Sequence, residues 1–227
     1  VAYARSKEKE YGKNFRFTIT TNGMLLDDDA IDFINKEMYN VVLSIDGRKE
    51  VNDRMRVRAD GNGSYDRIVK NFKKLVEKRG DKEWYVRGTY TKYNLDFSED
   101  VFHLYDQGFD QISVEPVVED PKVEYAITEE DLDQICKEYD RLADRLMELK
   151  KNGGFLNFFH FMIDLEQGPC VIKRLRGCGS GNEYVSITPD GDIYPCHQFV
   201  GHEEYCMGNI EEGTFNEEIK KEFAGAH

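Results

Sequence analysis

Four apolar runs of strand length alternate with helical patterns in the first half of the sequence, and this alternation limits the fold more than any other feature. Each run is short, rich in β-branched or aromatic residues and followed by turn residues. We predict strands from Phe15 to Thr20, Val41 to Ile45, Trp84 to Thr91 and Gln111 to Val118. Because strands that alternate with helices form parallel sheets, the sequence predicts an α/β fold.

The helical segments have an apolar stripe on one side. Between Ser64 and Lys78, apolar residues recur with the period of a helix, so this segment is predicted to cover a sheet. The stripe consists of Tyr65, Ile68, Val69, Phe72, Leu75 and Val76. Further helices are predicted from Val1 to Tyr11, after Leu26, from Phe97 to Gln107 and from Thr128 to Gly153. On the last of these, Cys136 lies on the apolar face, which predicts a core residue.

Composition excludes several classes of function. The 227-residue chain has a formal net charge of −13, whereas binding to nucleic acid requires a surplus of lysine and arginine. No apolar run approaches the roughly 20 residues that span a bilayer, so no membrane association is predicted. Five cysteines, an odd number, are typical of a reducing compartment, and we therefore predict a cytoplasmic protein.

Polar residues and glycines gather where the four predicted strands end. The strands run into Thr20-Thr21-Asn22-Gly23, Ser44-Ile45-Asp46-Gly47, Arg87-Gly88-Thr89 and Glu115-Pro116. In parallel α/β folds, the ligand site forms at the carboxyl ends of the strands. Each of these strand ends alone is ordinary, but the four together favour a binding site at this edge of the sheet.

Three cysteines lie in a turn-rich stretch near the C-terminal end: Cys178, Cys196 and Cys206. Tight turns bring thiolates together, and Pro189-Asp190-Gly191-Asp192 supplies one such turn. The spacing most resembles a set of iron–sulfur ligands. Buried free thiols, a disulfide, or zinc with His197 or His202 remain open alternatives.

After Gly177, turn residues, short strand patterns and cysteines replace the long helical and strand patterns. This change predicts a boundary near Gln167 to Gly177 and two domains, residues 1–167 and residues 168–227. The first carries the strands and their trailing helices, and the second carries the cysteine stretch. Cys170, close to the boundary, is predicted to be a packing residue. His160, in an aromatic segment before it, is predicted to pack rather than to bind a ligand.

The order of these motifs resembles strands three to six of the partial (β/α)6 TIM-type barrel of radical S-adenosylmethionine enzymes. The resemblance is carried by the strand ends named above, by Asp53-Arg54-Met55-Arg56, and by Ile112-Ser113-Val114-Glu115-Pro116. The stretch from Cys178 to Cys196 resembles the start of the SPASM auxiliary-cluster domain. Within this group, the stretches from Cys196 to Gly201 and from Cys206 to Asn209 are similar to maturases of six-cysteine peptides.

The resemblance implies S-adenosylmethionine and [4Fe-4S] clusters as cofactors. A reduced cluster would give one electron to S-adenosylmethionine and release a 5′-deoxyadenosyl radical, which would take a hydrogen from a Cα or Cβ of a peptide. A cysteine sulfur would then close onto that carbon as a thioether. The implied partners are a cysteine-rich precursor peptide and an electron donor such as ferredoxin or flavodoxin.

The resemblance also assigns cofactor-binding residues. Ser44 and Asp46 match positions that contact the ribose or the methionine moiety, and Asn22 ends the preceding strand at the same edge. Arg87 is suited to hold the methionine carboxylate by a bidentate fork, although an ordinary surface ion pair remains open.

The cysteines are assigned in the same way. Cys178 and Cys196 match ligands of the first auxiliary cluster, without the cysteine that lies between them in sulfatase-maturing relatives. This implies an iron with an open coordination position, where a substrate thiolate could bind. Cys206 is either a further ligand or a buried thiol.

Several motifs of such enzymes are absent from this sequence. They are the CxxxCxxC loop, the Gly-Gly-Glu-Pro motif and the later SPASM cysteines. We therefore expect a fragment that does not cleave S-adenosylmethionine by itself. Two other functions stay open: a SPASM-type maturase that oxidises a serine or cysteine side chain, and a non-catalytic module that binds a peptide or nucleotide and holds structural zinc.

Overall fold

The computed structural model describes residues 1–162 and 178–225. These residues fall into two compact units, one within Val1–Met162 and one within Ile163–His227. Cys170 and the predicted boundary between residues 167 and 168 lie outside the described residues, so both expectations remain predictions.

A parallel sheet of five strands forms the centre of the larger unit. The strands lie in chain order: β1 (Thr18–Thr21), β2 (Asn40–Ser44), β3 (Glu83–Tyr90), β4 (Gln111–Pro116) and β5 (Asn157–Phe158). Parallel neighbours require crossover connections, which place helices against the sheet. The predicted α/β fold with its four strands is confirmed, and the strand order is that of a part of a TIM-type barrel.

α1 (Ala2–Tyr11) precedes the first strand, and the helices that connect the strands are α2 (Asp28–Glu37), α3 (Lys49–Met55), α4 (Tyr65–Glu77), α5 (Phe97–Asp106) and α6 (Leu132–Lys151). Asp27 caps α2, because its carboxylate accepts a hydrogen bond from the Ala30 amide at 2.8 Å. The predicted stripe of α4 is buried except for Val76, which is half-buried, and Phe72 and Leu75 are fully enclosed. Among the helices that the structure describes, none combines the length and the apolar character that crossing a membrane requires.

The prediction that Cys136 is a core residue is wrong. α6 packs against α5 and buries a narrow stripe of Ile135, Glu138 and Leu142. Cys136 is exposed, as is Leu132. The helix surface that its neighbours cover is therefore narrower than the apolar stripe of the sequence.

The smaller unit is rich in turns, as predicted. β6 (Ser186–Ile187), β7 (Asp192–Tyr194) and β8 (Gly208–Asn209) form an antiparallel sheet, and α7 (Glu217–Gly225) follows. The turn between β6 and β7 closes with a hydrogen bond from the Gly191 amide to the Thr188 carbonyl at 3.0 Å. Three rings of this unit pack edge-on against one another, with centroids 4.8 to 5.8 Å apart: Phe199, Tyr205 and Phe223.

Candidate functional site

The two faces of the parallel sheet differ in polarity. On one face, Leu43, Val86 and Ile112 are completely buried in the core. On the other, polar side chains lie towards the carboxyl ends of β2, β3 and β4: Ser44, Asp46, Arg87, Thr89, Ser113 and Glu115. Parallel sheets normally have apolar residues on both faces. We call the second face the polar face, and it is the candidate ligand site of this unit.

Strand register brings two of the predicted cofactor-binding residues together. Ser44 pairs with Arg87, and Arg87 pairs with Ser113, so the three residues form one row across the sheet. Side chains of paired residues on neighbouring strands project from the same face. Ser44 is half-buried and Arg87 is exposed, so the row is open to a ligand.

Asp46 is buried just beyond the end of β2, with 3% of its surface exposed. The Arg56 guanidinium forms a bidentate ion pair with its carboxylate. Arg56 Nε donates to Oδ2 at 2.7 Å, and Arg56 Nη2 donates to Oδ1 at 2.8 Å. The Thr89 amide donates to Oδ1 at 3.0 Å. A carboxylate has about four acceptor positions, so these three bonds leave one for a ligand hydroxyl.

Gly88 allows the ends of β2 and β3 to approach closely enough for the Thr89 contact. A Cβ at Gly88 would lie 2.6 Å from the Ile45 carbonyl oxygen, which is well inside van der Waals contact. The position therefore excludes any side chain, and the predicted Arg87-Gly88-Thr89 strand end has a geometric role in the site.

Arg87 is engaged by an ion pair on the polar face. Its Nη2 donates to Glu115 Oε2 at 2.6 Å, and the Ser113 hydroxyl donates to Glu115 Oε1 at 3.0 Å. Partial burial raises the pKa of Glu115, but the hydrogen bond and charge of Arg87 outweigh it and hold that pKa below its usual value. The guanidinium keeps further donors, so the ion pair leaves room for a second carboxylate.

His160 follows β5 and lies near the same ion pair. Its Nδ1 is 3.4 Å from the Tyr139 hydroxyl. Burial lowers the pKa of His160, and the negative charge of Glu115 opposes this effect. The ring is half-buried and packs against Phe158 in a tilted arrangement, with centroids 5.2 Å apart, which agrees with the predicted packing role.

Asn22 lies apart from the row but borders a neighbouring cavity of about 590 Å³. The cavity is also lined by Met24, Arg56 and Ser64. Asn22 is exposed, and its Oδ1 accepts a hydrogen bond from the Met24 amide at 3.2 Å. Because Arg56 borders the cavity and binds Asp46, it connects Asn22 to the polar face.

The three cysteines of the smaller unit have different surroundings. Cys178 is exposed, Cys196 is buried and Cys206 is half-buried, and no disulfide joins the cysteines in the described part of the chain. The Ser180 amide and the Tyr184 hydroxyl lower the pKa of Cys178 by hydrogen bonding, which favours a thiolate. The Cys206 thiol donates to the Gly208 carbonyl at 3.6 Å.

The chemistry of the donor set suits an iron–sulfur cluster, because Cys178 and Cys196 are both free thiols. The Tyr184 hydroxyl donates to Cys178 Sγ at 3.7 Å, and this hydrogen bond, with burial, raises the pKa of Tyr184. Burial raises the pKa of Tyr194, and the charge of Cys206 adds to that effect. Within residues 1–162 and 178–225, no three His, Cys, Asp or Glu side chains converge as metal ligands. The described residues therefore form no zinc ligand set with His197 or His202 either.

Sequence reasoning gave no role to three residues of these sites. Arg56 belongs to a motif quoted for the resemblance, but its fork on Asp46 depends on the turn of the chain through α3. Glu115 stands at a predicted strand end and in a motif quoted for the resemblance, but its ion pair with Arg87 depends on the register of β3 and β4. Tyr184 has no sequence signal, because its contact with Cys178 arises from a local loop.

A family profile matches the smaller unit. Residues 178–224 match SPASM, an iron–sulfur cluster-binding domain. The match begins at Cys178 and includes Cys196 and Cys206.

Two curated relatives match almost the whole chain. A cysteine-type anaerobic sulfatase-maturating enzyme of Clostridium novyi is 28% identical over 218 residues, covering 90% of this chain and 55% of that protein. A serine-type anaerobic sulfatase-maturating enzyme of Bacteroides thetaiotaomicron is 25% identical over 244 residues, covering 96% of this chain and 56% of that protein. The chain therefore spans about half the length of the curated relatives it matches.

Solved structures share the fold. Native anSMEcpe with bound AdoMet has a TM-score of 0.80 at 20% identity, covering 98% of this chain and 63% of that one. The same protein with bound AdoMet and Kp18Cys peptide has a TM-score of 0.75 at 20% identity, covering 98% of this chain and 63% of that one. Streptococcus suis SuiB bound to S-adenosylmethionine has a TM-score of 0.57 at 22% identity, covering 86% of this chain and 45% of that one.

These matches support the predicted resemblance to radical S-adenosylmethionine maturases that carry a SPASM domain. They also support S-adenosylmethionine and iron–sulfur clusters as cofactors, since the SPASM domain binds an iron–sulfur cluster and the similar anSMEcpe structures contain AdoMet. The two curated relatives are sulfatase-maturating enzymes rather than thioether-forming maturases, so the thioether assignment remains a prediction.

Proposed function

We propose that this chain forms the S-adenosylmethionine-binding sheet and the first auxiliary-cluster site of a maturase that makes cysteine thioether crosslinks in a ribosomally made peptide. The observation that carries the proposal is the polar face, which collects hydrogen-bonding groups at the carboxyl ends of parallel strands. The stretch from Cys196 to Gly201 supports the thioether class. The proposed partners are a cysteine-rich precursor peptide and a one-electron donor of the ferredoxin or flavodoxin kind.

The side chains of the polar face would hold and orient the cofactor. When bound, S-adenosylmethionine and a reduced cluster would supply a 5′-deoxyadenosyl radical that takes one hydrogen atom from the peptide, and closure of a cysteine sulfur onto that carbon would release the thiol proton and pass one electron to an iron–sulfur cluster. Asp46, fixed by Arg56, offers its free acceptor position to a ribose hydroxyl. Ser44 lies in the same row, and Arg87 offers its remaining donors to a carboxylate.

The cysteines would form a separate site within the smaller unit. Cys178 and Cys196 are the proposed ligands of an auxiliary cluster, and the lowered pKa of Cys178 favours the thiolate form that iron binds. The ligand role predicted for Cys206 stays a prediction, and in this structure its thiol donates to the Gly208 carbonyl at 3.6 Å.

A second candidate is the oxidation of a cysteine or serine side chain, which the curated sulfatase-maturating relatives favour. The products differ. A thioether crosslink removes two hydrogens from the peptide and keeps all sulfur, whereas oxidation of a cysteine to an aldehyde releases its sulfur. Oxidation of a serine also removes two hydrogens and keeps all sulfur. Mass spectrometry of a cysteine-rich peptide without serine, after anaerobic reaction with a protein that joins this chain to a CxxxCxxC loop, therefore separates the two activities.

The cofactor assignment is tested by binding of S-adenosylmethionine to the chain, measured by calorimetry. We expect Arg87→Gln to bind S-adenosylmethionine about tenfold more weakly or worse, because the variant loses a charge-assisted hydrogen bond. Ser44→Ala should weaken binding less. The control Asp140→Asn, exposed on α6, should bind like wild type. Equal binding by all three variants would contradict the assignment.

The cluster assignment is tested by anaerobic reconstitution with iron and sulfide, followed by metal analysis and a visible spectrum. We expect a brown chain that loses iron in Cys178→Ala and in Cys196→Ala, and keeps it in Cys136→Ala, whose exposed thiol lies in the other unit. A colourless chain that holds stoichiometric zinc would instead indicate the non-catalytic binding module.

A further inference from the structure

The loop between Cys178 and Tyr184 folds back on its own cysteine. The Gly181 amide is within hydrogen-bond distance of two carbonyls, that of Tyr184 at 3.0 Å and that of Pro195 at 2.9 Å. The first contact closes the loop, and the second joins it to the residue that precedes Cys196. The backbone that carries Tyr184 is therefore joined to the residue before Cys196.

Two hydroxyl groups lie at this loop. The Tyr184 hydroxyl donates to Cys178 Sγ at 3.7 Å. The Ser180 Oγ is buried and has no hydrogen-bond partner among the described residues. A buried hydroxyl without a partner costs free energy, so an acceptor at this position would relieve the cost. The sulfur atoms of a cluster bound to Cys178 are acceptors of this kind.

We propose that Tyr184 is a positioning residue of the auxiliary cluster, donating its hydroxyl to the Cys178 thiolate while Ser180 Oγ donates to a sulfur of the same cluster. The inference rests on the proposed function, because it requires Cys178 to be an iron ligand. Hydrogen bonds to cluster sulfurs stabilise the reduced, more negative state and so raise the reduction potential. Tyr184 would therefore tune the cluster as well as hold its ligand.

The variant Tyr184→Phe removes the hydroxyl and keeps the ring. After reconstitution of the full chain with iron and sulfide, we expect a more negative reduction potential and release of iron to a chelator about tenfold faster than from wild type. Ser180→Ala should change both quantities in the same direction. The matched control is Tyr205→Phe, because that ring packs against Phe199 in the same unit at 4.8 Å. The control should keep both wild-type values.

The outcomes separate this inference from the proposed function. If Tyr184→Phe binds iron with the wild-type potential and release rate, the inference is overturned and the cluster assignment stands. If the wild-type chain binds no iron, both are overturned. Should Tyr184→Phe fail to fold by circular dichroism, Ser180→Ala decides, and wild-type values in that variant overturn the inference.

Discussion

Asp46 connects the end of β2 with β3 and with Arg56, so its substitution is the sharpest test at the scale of single residues. Asp46→Asn keeps the shape of the side chain but removes the charge that pairs with Arg56 at 2.7 Å. Removing one partner of a buried ion pair costs about 3–5 kcal/mol, and we expect the lower end because Arg56 is 31% exposed. Urea unfolding measures the loss. Asp140→Asn should match wild type, and a similar stability in both variants would contradict the buried pair.

Glu115 gives a pH dependence at the same scale. Its ordinary pKa is 4.5, and Arg87 holds its pKa in the folded chain below that value. A group with a lowered pKa stabilises the fold above its unfolded pKa, and this contribution is lost as the pH falls through the folded pKa. Urea midpoints of wild type and Glu115→Gln should therefore differ at pH 6 and converge in the acid range below about 4.5. A constant difference across that range would contradict the ion pair.

The residues of the candidate site were predictable where the backbone alone places them. Ser44 and Asp46 stand where a strand ends, and strand ends meet at one edge of a parallel sheet. The fork from Arg56 to Asp46 was not predictable, because it depends on how α3 returns the chain to the sheet. The burial of Cys136 was predicted wrongly, because an apolar stripe on a helix does not show how much of that stripe the neighbouring helix covers.

At the scale of elements, length decides what the sequence can predict. The four longer strands have enough residues to show their pattern, whereas β5 has only two residues. α3 has seven residues, most of them polar, so it lacks an apolar stripe. Both short elements depend on the surrounding sheet, and tertiary contacts rather than local pattern determine them.

The contact between β2 and β3 is testable at this scale through Gly88. The variant Gly88→Ala places a methyl group 2.6 Å from the Ile45 carbonyl oxygen, so the strands must separate. We expect a loss of about 1–3 kcal/mol in the free energy of unfolding, as for other overpacked sites. Thr89→Ala, next to it on the half-exposed polar face, should cost less than about 1 kcal/mol. If the two variants unfold alike, the close approach is not a constraint.

At the scale of the whole molecule, the cofactors are assigned to separate compact units. The proposed S-adenosylmethionine residues lie within Val1–Met162, and the proposed iron ligands lie within Ile163–His227. Each unit has its own sheet, one of five strands and one of three. A ligand that binds one unit should stabilise that unit first.

Iron removal tests this division of the molecule. The three strands of the smaller unit are two to three residues long, so its described core is small and metal binding should supply much of its stability. After chelation of a reconstituted chain, we expect amide hydrogen exchange to speed up over residues 178–225 and to stay unchanged in β1 to β4. Cys178→Ala should reproduce the chelated pattern without a chelator, and Cys136→Ala should not. Faster exchange throughout the five-stranded sheet would mean that the larger unit also depends on the cluster.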